Sequence, residues 1–281
     1  IEAVLNILQP GQEGGNAVAD VLLGKKVPSG KLTDSWAMDY SDYPSAQTFS
    51  FKSGDVFHEE YKEGIYVGYR YFDTFDVPVR YGFGFGLSYT TFSISSPNVT
   101  LTGVGTENPM LTAEVEVTNT GEQYSGKDVV QVYVSCPQQG LPKEYRRLAG
   151  FAKTKELSPK ETQKLTISFP LYQLSSYDES SASWILDGGN YGIWIGNSLQ
   201  DAVLCAVMEL DGQAVLISGT NICKPQKRVE EIAPDQEVLL KKQEKWETIA
   251  REKNLQRLQI KADQLLTKKM EYNSDREALT G

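Results

Sequence analysis

The chain has 281 residues, 40% hydrophobic and 23% charged, which suits one or two domains with a real core. Its formal net charge of −9, with no basic patch interleaved with aromatics, argues against a nucleic-acid partner. No apolar run approaches the ~20 residues of a membrane span, and no basic-then-apolar leader opens the sequence.

The first eight residues, Ile1 to Leu8, form a short apolar run that suits a buried strand. The chain opens already inside this run, so a preceding segment is expected. Pro10-Gly11 breaks it. Glu13 to Leu23 then reads as a helix with Ala17, Val18, Val21 and Leu22 as its apolar face and Gly24 as its stop. Strand, tight turn and helix in that order belong to an open α/β sheet, where loops at strand carboxyl ends face ligands. From Thr33 to Tyr61 the chain is aromatic and turn-rich with little periodicity, and is read as a long ordered loop. Tyr66, Tyr69, Arg70, Tyr71 and Phe72 then alternate aromatic and polar groups along an expected strand. Rings and Arg in such a row suit a sugar-cleft wall or a contact between domains. Gly82, Gly84 and Gly86 have a G-x-G-x-G spacing without a strand–turn–helix context, so a tight aromatic-packed linker is expected rather than a phosphate loop.

Residues 87–212 change character. Apolar and polar residues alternate in Leu111–Thr118, Asp128–Ser135, Thr162–Phe169, Tyr191–Ile195 and Ala202–Leu210, with turn residues between them. Half-buried strands at this spacing predict a β-sandwich. Trp184, Tyr191 and Trp194 fall on its strands, as core residues or, where exposed, as glycan contacts. From Lys224 onward there are 13 Lys+Arg against 11 Asp+Glu, whereas residues 1–223 carry 15 against 26. The spacing of Leu239, Trp246, Ile249 and Leu255 in that segment is helical. It suits a solvated connector or a helix packed on a partner domain.

Few residues offer chemistry by themselves. Cys136, Cys205 and Cys223 are widely separated and lack metal-ligand spacing. Reduced thiols in an odd number favour a reducing, intracellular setting over a disulfide framework. His58 is the single histidine; beside Glu59, Glu60 and Glu63 it suggests a solvated loop rather than a metal site or triad. Asn98-Val99-Thr100 fits a glycosylation acceptor, which matters only on a eukaryotic secretory route. Glu13 stands in a Gly-rich turn where a strand gives way to a helix. It suits a helix-capping role, the lining of a cleft, or catalysis.

Four stretches carry a specific resemblance: PGQEGGNAVADVLLG at 10–24, VPSGKLTDSW at 27–36, EGIYVGYRYFDTF at 63–75 and YGFGFGLSYTTF at 81–92. In this order and with short gaps they resemble the later part of glycoside hydrolase family 3, the β-glucosidase family. EVEVTNTGEQYSGKDVVQVYVS, KEYRRLAGFAKTKELSPKE and GGNYGIWIGNS are similar to the fibronectin type III-like domain of that family. The resemblance implies a partial α/β sandwich domain at 1–88 and a fibronectin type III-like (immunoglobulin-like) all-β sandwich at 89–212; composition and spacing add a charged, mainly helical tail at 213–281. It implies a retaining, two-step hydrolysis of terminal β-glycosidic bonds that needs no metal and no organic cofactor. In the family the nucleophilic Asp belongs to a barrel domain, and the acid/base Glu usually sits upstream of the PGQE segment. Neither region is present. The expectation is therefore an accessory part with no catalytic residue of its own, whose barrel precedes Ile1 or follows Gly281. Gln12, Glu13, Tyr69 and Arg70 are the candidates for lining a substrate cleft. The partners expected are a β-linked glucoside and the catalytic barrel. The rival reading is a stand-alone structural or carbohydrate-binding module.

Overall fold

The structure, a computed structural model, describes residues 3–55, 57–222 and 229–270. It is rich in β-strands and has few helices. The first segment carries α1 (Gly14–Leu22), which ends where Gly24 takes φ +71 and returns its N–H to Val21. A short strand, β1 (Trp36–Ala37), pairs with β2 (Val79–Tyr81), and α2 (Tyr69–Thr74) lies between them in sequence.

Two expectations for this segment are corrected. Residues 3–8 form no strand, and Val4, Leu5, Ile7 and Leu8 are exposed. A strand is held by a ladder to its neighbours, and among the described residues none lies beside this run. The row from Tyr66 to Phe72 is not a strand either. Gly68 enters α2 at φ +60, and helical spacing turns Tyr69 and Phe72 onto one buried face. Alternation in the sequence had suggested period two; packing selected period three.

The sandwich begins with β3 (Phe92–Thr102), β4 (Met110–Asn119), β5 (Val129–Ser135), β6 (Arg147–Lys153) and β7 (Thr162–Pro170). It continues with β8 (Ser176–Asp178), β9 (Ser183–Leu186), β10 (Gly189–Gly196), β11 (Val203–Leu210) and β12 (Ala214–Ser218). The last elements are α3 (Gln236–Glu252), β13 (Gln256–Ile260) and β14 (Lys268–Lys269). One sheet has the order β13-β11-β10-β5-β6, a second β14-β12-β9-β8, and a third β3-β4-β7. A single apolar core joins them, with Leu111, Val115, Val132, Ile167, Ile193 and Met208 at its centre.

The five-stranded sheet is covered on both faces. Its inner face contributes Val130, Val132 and Val134 to the core. On its outer face Tyr133 packs with Tyr69, Leu199 and Ala202, and Leu204 and Val207 pack with Trp246 and Ala250 of α3. That double burial explains why β5 reads VVQVYVS, almost continuously apolar, in an antiparallel setting.

The tail is the largest departure from expectation. The helix of residues 236–252 is formed, but it is not a solvated connector. Asp235 caps it by accepting from the N–H groups of Glu237 and Val238, and Trp246 is buried to 1% exposure against the chain's own sandwich. Beyond α3 the chain turns to strand. β13 adds in parallel to β11, and β14 adds in parallel to β12. A surface tail gains more by burying Trp246 and Leu239 and completing two ladders than by staying solvated.

Candidate functional site at the seam between the first segment and the sandwich

A groove of about 580 Å³ lies along α2. Asp34, Tyr43, Glu63, Tyr69, Arg70 and Phe83 line it. Close approaches pack the segments that carry its lining residues Asp34 and Phe83. Asp34 accepts from the Ser35 N–H at 2.8 Å, and the Ser35 hydroxyl accepts from the Phe83 N–H at 3.1 Å. Gly84 at φ +79 lies against the Gln131 amide, where a β-carbon would come within 2.3 Å of the amide oxygen. The Gly82–Gly86 stretch is thus a packed linker: Phe83 packs at a tilt on Tyr69 with centroids 4.6 Å apart, and Phe85 stacks on Tyr81 at 5.3 Å.

The two groove candidates from the sequence behave differently. Tyr69 is buried, and its hydroxyl accepts the Leu148 N–H at 2.8 Å. Burial raises its pKa, so the phenol stays neutral and holds the seam. Arg70 lines the groove with a side chain 42% exposed, and its Nε lies 3.6 Å from a carboxylate oxygen of Glu144. Gln12 and Glu13 do not line this groove. Both are exposed, and Glu13 accepts from the Asn16 side chain at 2.6 Å.

Behind the groove lies a cluster of charges that sequence reading passed over. Arg146 grips Asp73 with two hydrogen bonds, 2.9 and 2.5 Å, and donates a third to the Leu199 carbonyl at 3.0 Å. Its guanidinium also covers the rings of Tyr145 and Trp194 at 5.5 and 5.4 Å. Arg147 holds Glu144 at 2.7 and 3.0 Å. Burial alone would push the Glu144 carboxyl up, but the bonds and charge of Arg147, aided by Arg70, hold it below the usual carboxylate range. Lys242 of α3 reaches across to the carbonyls of Asp73 and Thr74 at 3.0 and 3.1 Å, at the negative end of α2. The tail touches the same segment a second time, where the Ile232 N–H donates to the Lys62 carbonyl at 2.8 Å. The signal for this cluster was the pair Arg146-Arg147 placed just before an apolar run. Its partner, Asp73, is 73 residues away and has no local cue.

The remaining candidates resolve simply. His58 is exposed and meets Asp55 at 2.8 Å, not the neighbouring glutamates. Among the described residues no cluster of His, Cys, Asp and Glu could hold a metal ion. Cys136 and Cys205 are free thiols, and Cys223 lies outside the described residues. Tyr191 is fully buried, and the Trp194 indole N–H donates to the Ser135 hydroxyl at 3.0 Å. Trp184 stays half-exposed between Tyr172 and Tyr177, each 5.2 Å away between centroids.

A β-rich protein in which a short, mostly loop-built first segment is held to a sandwich by the Arg146–Asp73 ion pair is the class that this fold and seam define. Residues 1–69 match the glycosyl hydrolase family 3 C-terminal domain, and residues 128–199 match the fibronectin type III-like domain. The chain belongs to glycosyl hydrolase family 3 through these two later domains. It is 42% identical over 222 residues to a β-glucosidase of Ruminococcus albus, covering 76% of this chain and 22% of that protein. A β-glucosidase structure from Paenibacillus barengoltzii superposes with a TM-score of 0.71 at 40% identity, over 76% of this chain and 24% of that one. β-Glucosidase 3B of Thermotoga neapolitana, solved in complex with glucose, gives 0.67 at 37% identity, over 74% and 28%. The chain thus spans about a quarter of the length of the relatives it matches.

Proposed function

We propose that this chain is the cleft-supporting portion of a β-glucosidase-like enzyme. The intact enzyme hydrolyses terminal β-glycosidic bonds by double displacement, with both catalytic carboxyls supplied outside these residues. The domains are read as a partial α/β domain at 1–88, a fibronectin type III-like domain at 89–212 and a tail at 213–281. The single observation that carries the reading is the seam. Tyr69, Asp73 and Arg146 hold the segment that bears the Arg70 groove rigidly against a sandwich, as a cleft wall requires. Arg70 then flanks the sugar with Tyr69 behind it as the anchor of the wall, and Gln12 and Glu13 lie at a separate edge facing the barrel. No helix among the described residues is long and apolar enough to cross a membrane. The free thiols of Cys136 and Cys205 support an intracellular setting as part of this reading.

The test is hydrolysis of a panel of nitrophenyl β-glycosides, with circular dichroism as the check of folding. The chain alone is expected to fold and to show no turnover, while the same residues joined to a family 3 barrel turn over a β-glucoside. In that joined enzyme Arg70→Ala should raise KM more than it lowers kcat. Turnover by the chain alone, or an Arg70→Ala enzyme with unchanged kinetics, would defeat the reading.

A second reading has one observation in its favour. The half-exposed trio Tyr172, Trp184 and Tyr177 is a surface on which the apolar face of a sugar ring can stack. Saturable binding of a β-linked oligosaccharide to the folded chain, abolished by Trp184→Ala and kept by Trp194→Phe, would favour a glycan-binding module.

A further inference from the structure

A second cavity, of about 560 Å³, opens between residues 24–29 and the sandwich segments 123–127 and 153–156. Lys25, Lys26, Lys127 and Lys153 line it, against one carboxylate, Glu156. In a chain of net charge −9 such a gathering of cations calls for a cause. Lys25 has one, because it pairs with Asp20 at 3.7 Å and follows the negative end of α1. Among the described residues Lys127 and Lys153 have no carboxylate within ion-pair reach. The carboxylate beside them, Asp128, is already held by Lys31 at 2.9 Å and is buried. Lys153 instead reaches over the seam to the Ser29 carbonyl at 3.0 Å. Burial, then the charge of Lys127, push the pKa of Lys153 down; Asp128 opposes this and Lys31 adds a smaller push, so Lys127 and Lys153 repel each other across the cavity. The hydroxyl-bearing Ser29 and Ser125 complete the wall.

We propose that this cavity binds a phosphate-type oxyanion, free or carried on a sugar, through Lys26, Lys127 and Lys153 with the hydroxyls of Ser29 and Ser125. Three ammonium groups and two hydroxyls match the acceptor oxygens of such an anion, and its charge replaces mutual repulsion by charge-assisted hydrogen bonds. Because the donors come from both the first segment and the sandwich, the bound anion also fastens one to the other. The site is independent of the glycosidase reading, since it shares no residue with the Arg70 groove.

The experiment titrates inorganic phosphate, and separately a hexose phosphate, into the full chain at an ionic strength held constant with sodium chloride. Phosphorus NMR line width and the thermal unfolding midpoint are read together. Saturable broadening is expected, with a midpoint above that in chloride alone. The double variant Lys127→Gln/Lys153→Gln should weaken the apparent affinity by about tenfold or more, the loss of two charge-assisted bonds. Lys160→Gln, which removes a surface lysine paired with Glu122, should leave it unchanged. Tighter binding of the hexose phosphate identifies a phosphorylated sugar as the ligand, and equal binding identifies the free anion. Should the double variant not fold, competition of sulfate against phosphate on the unaltered chain decides: displacement supports the site. No broadening by either probe, or binding undiminished in the folded double variant, would overturn the proposal.

Discussion

Arg146 and Asp73 meet in a two-bonded ion pair, both side chains 12% exposed, that ties α2 to the strand beginning at Arg147. A guanidinium fork on a carboxylate fixes orientation as well as distance. Removing one partner leaves a charge that the surroundings no longer answer. Asp73→Asn should therefore cost about 3 kcal/mol, the scale for breaking a mostly buried pair. Urea denaturation would measure it, and a midpoint unchanged from the parent would refute the clamp. Replacing both residues, as Asp73→Leu with Arg146→Met, should recover much of the loss while loosening the Arg70 groove.

The tail is a structural member rather than an appendage. Trp246 fills the space between Leu204, Val207 and Gly192, whose would-be β-carbon lies 3.2 Å from the indole. Trp246→Ala should destabilise the chain by about 3–5 kcal/mol through the cavity it opens. If the variant unfolds at the parent's denaturant midpoint, α3 is not part of the cooperative unit.

Two parallel additions close the sandwich edges. β13 pairs with β11 from Gln256 to Ile260, and the Gln256 side chain bonds both the N–H and the carbonyl of Val99 at 3.0 and 2.7 Å. Ending the chain after Asn254 would leave β11 and β12 with unpaired backbone groups, which invite pairing with another chain. Sedimentation velocity should then show self-association that grows with concentration and is absent from the longer chain. A monomeric truncated chain would mean that the edges are protected in another way.

The pH response follows from buried acids. Burial pushes the thiols of Cys136 and Cys205 up to about 11, and the phenols of Tyr66 and Tyr145 up to about 12. Their neutral forms are favoured by folding, so the stability they contribute is complete below the unfolded values of 9.0 and 10.0. It is lost as pH rises from there through the folded values. Glu144 acts in the opposite sense, since its depressed pKa contributes stability that is lost as pH falls below the ordinary carboxylate range. Urea midpoints taken between about pH 7 and 11 under reducing conditions should fall above about pH 9. A flat alkaline limb would contradict the burial of these groups.

Much of this molecule is legible in the order of its residues. Alternation in Leu111–Thr118 and Thr162–Phe169 announces β4 and β7, because a half-buried strand must alternate. Gly24 announces the end of α1, since it accepts φ +71 without strain. The motifs from Pro10 to Trp36 and from Glu63 to Phe92 were enough to point to family 3. By contrast, Tyr69 and Phe72 read as alternating strand residues until packing selected a helix, Tyr69 against Tyr133 of the sheet and Phe72 against Tyr43. The charged tail reads as a solvated connector or a helix packed on a partner domain, and only Leu204 and Val207 of the chain's own sandwich decide where Trp246 is buried. Asp73 and Arg146 carry no mark of each other in the sequence. Local propensity, turn chemistry and periodicity act over a few residues and were set by the sequence itself. Which helix covers a sheet, and which charge answers another 73 positions away, depends on desolvation and packing that exist only once the chain has closed on itself.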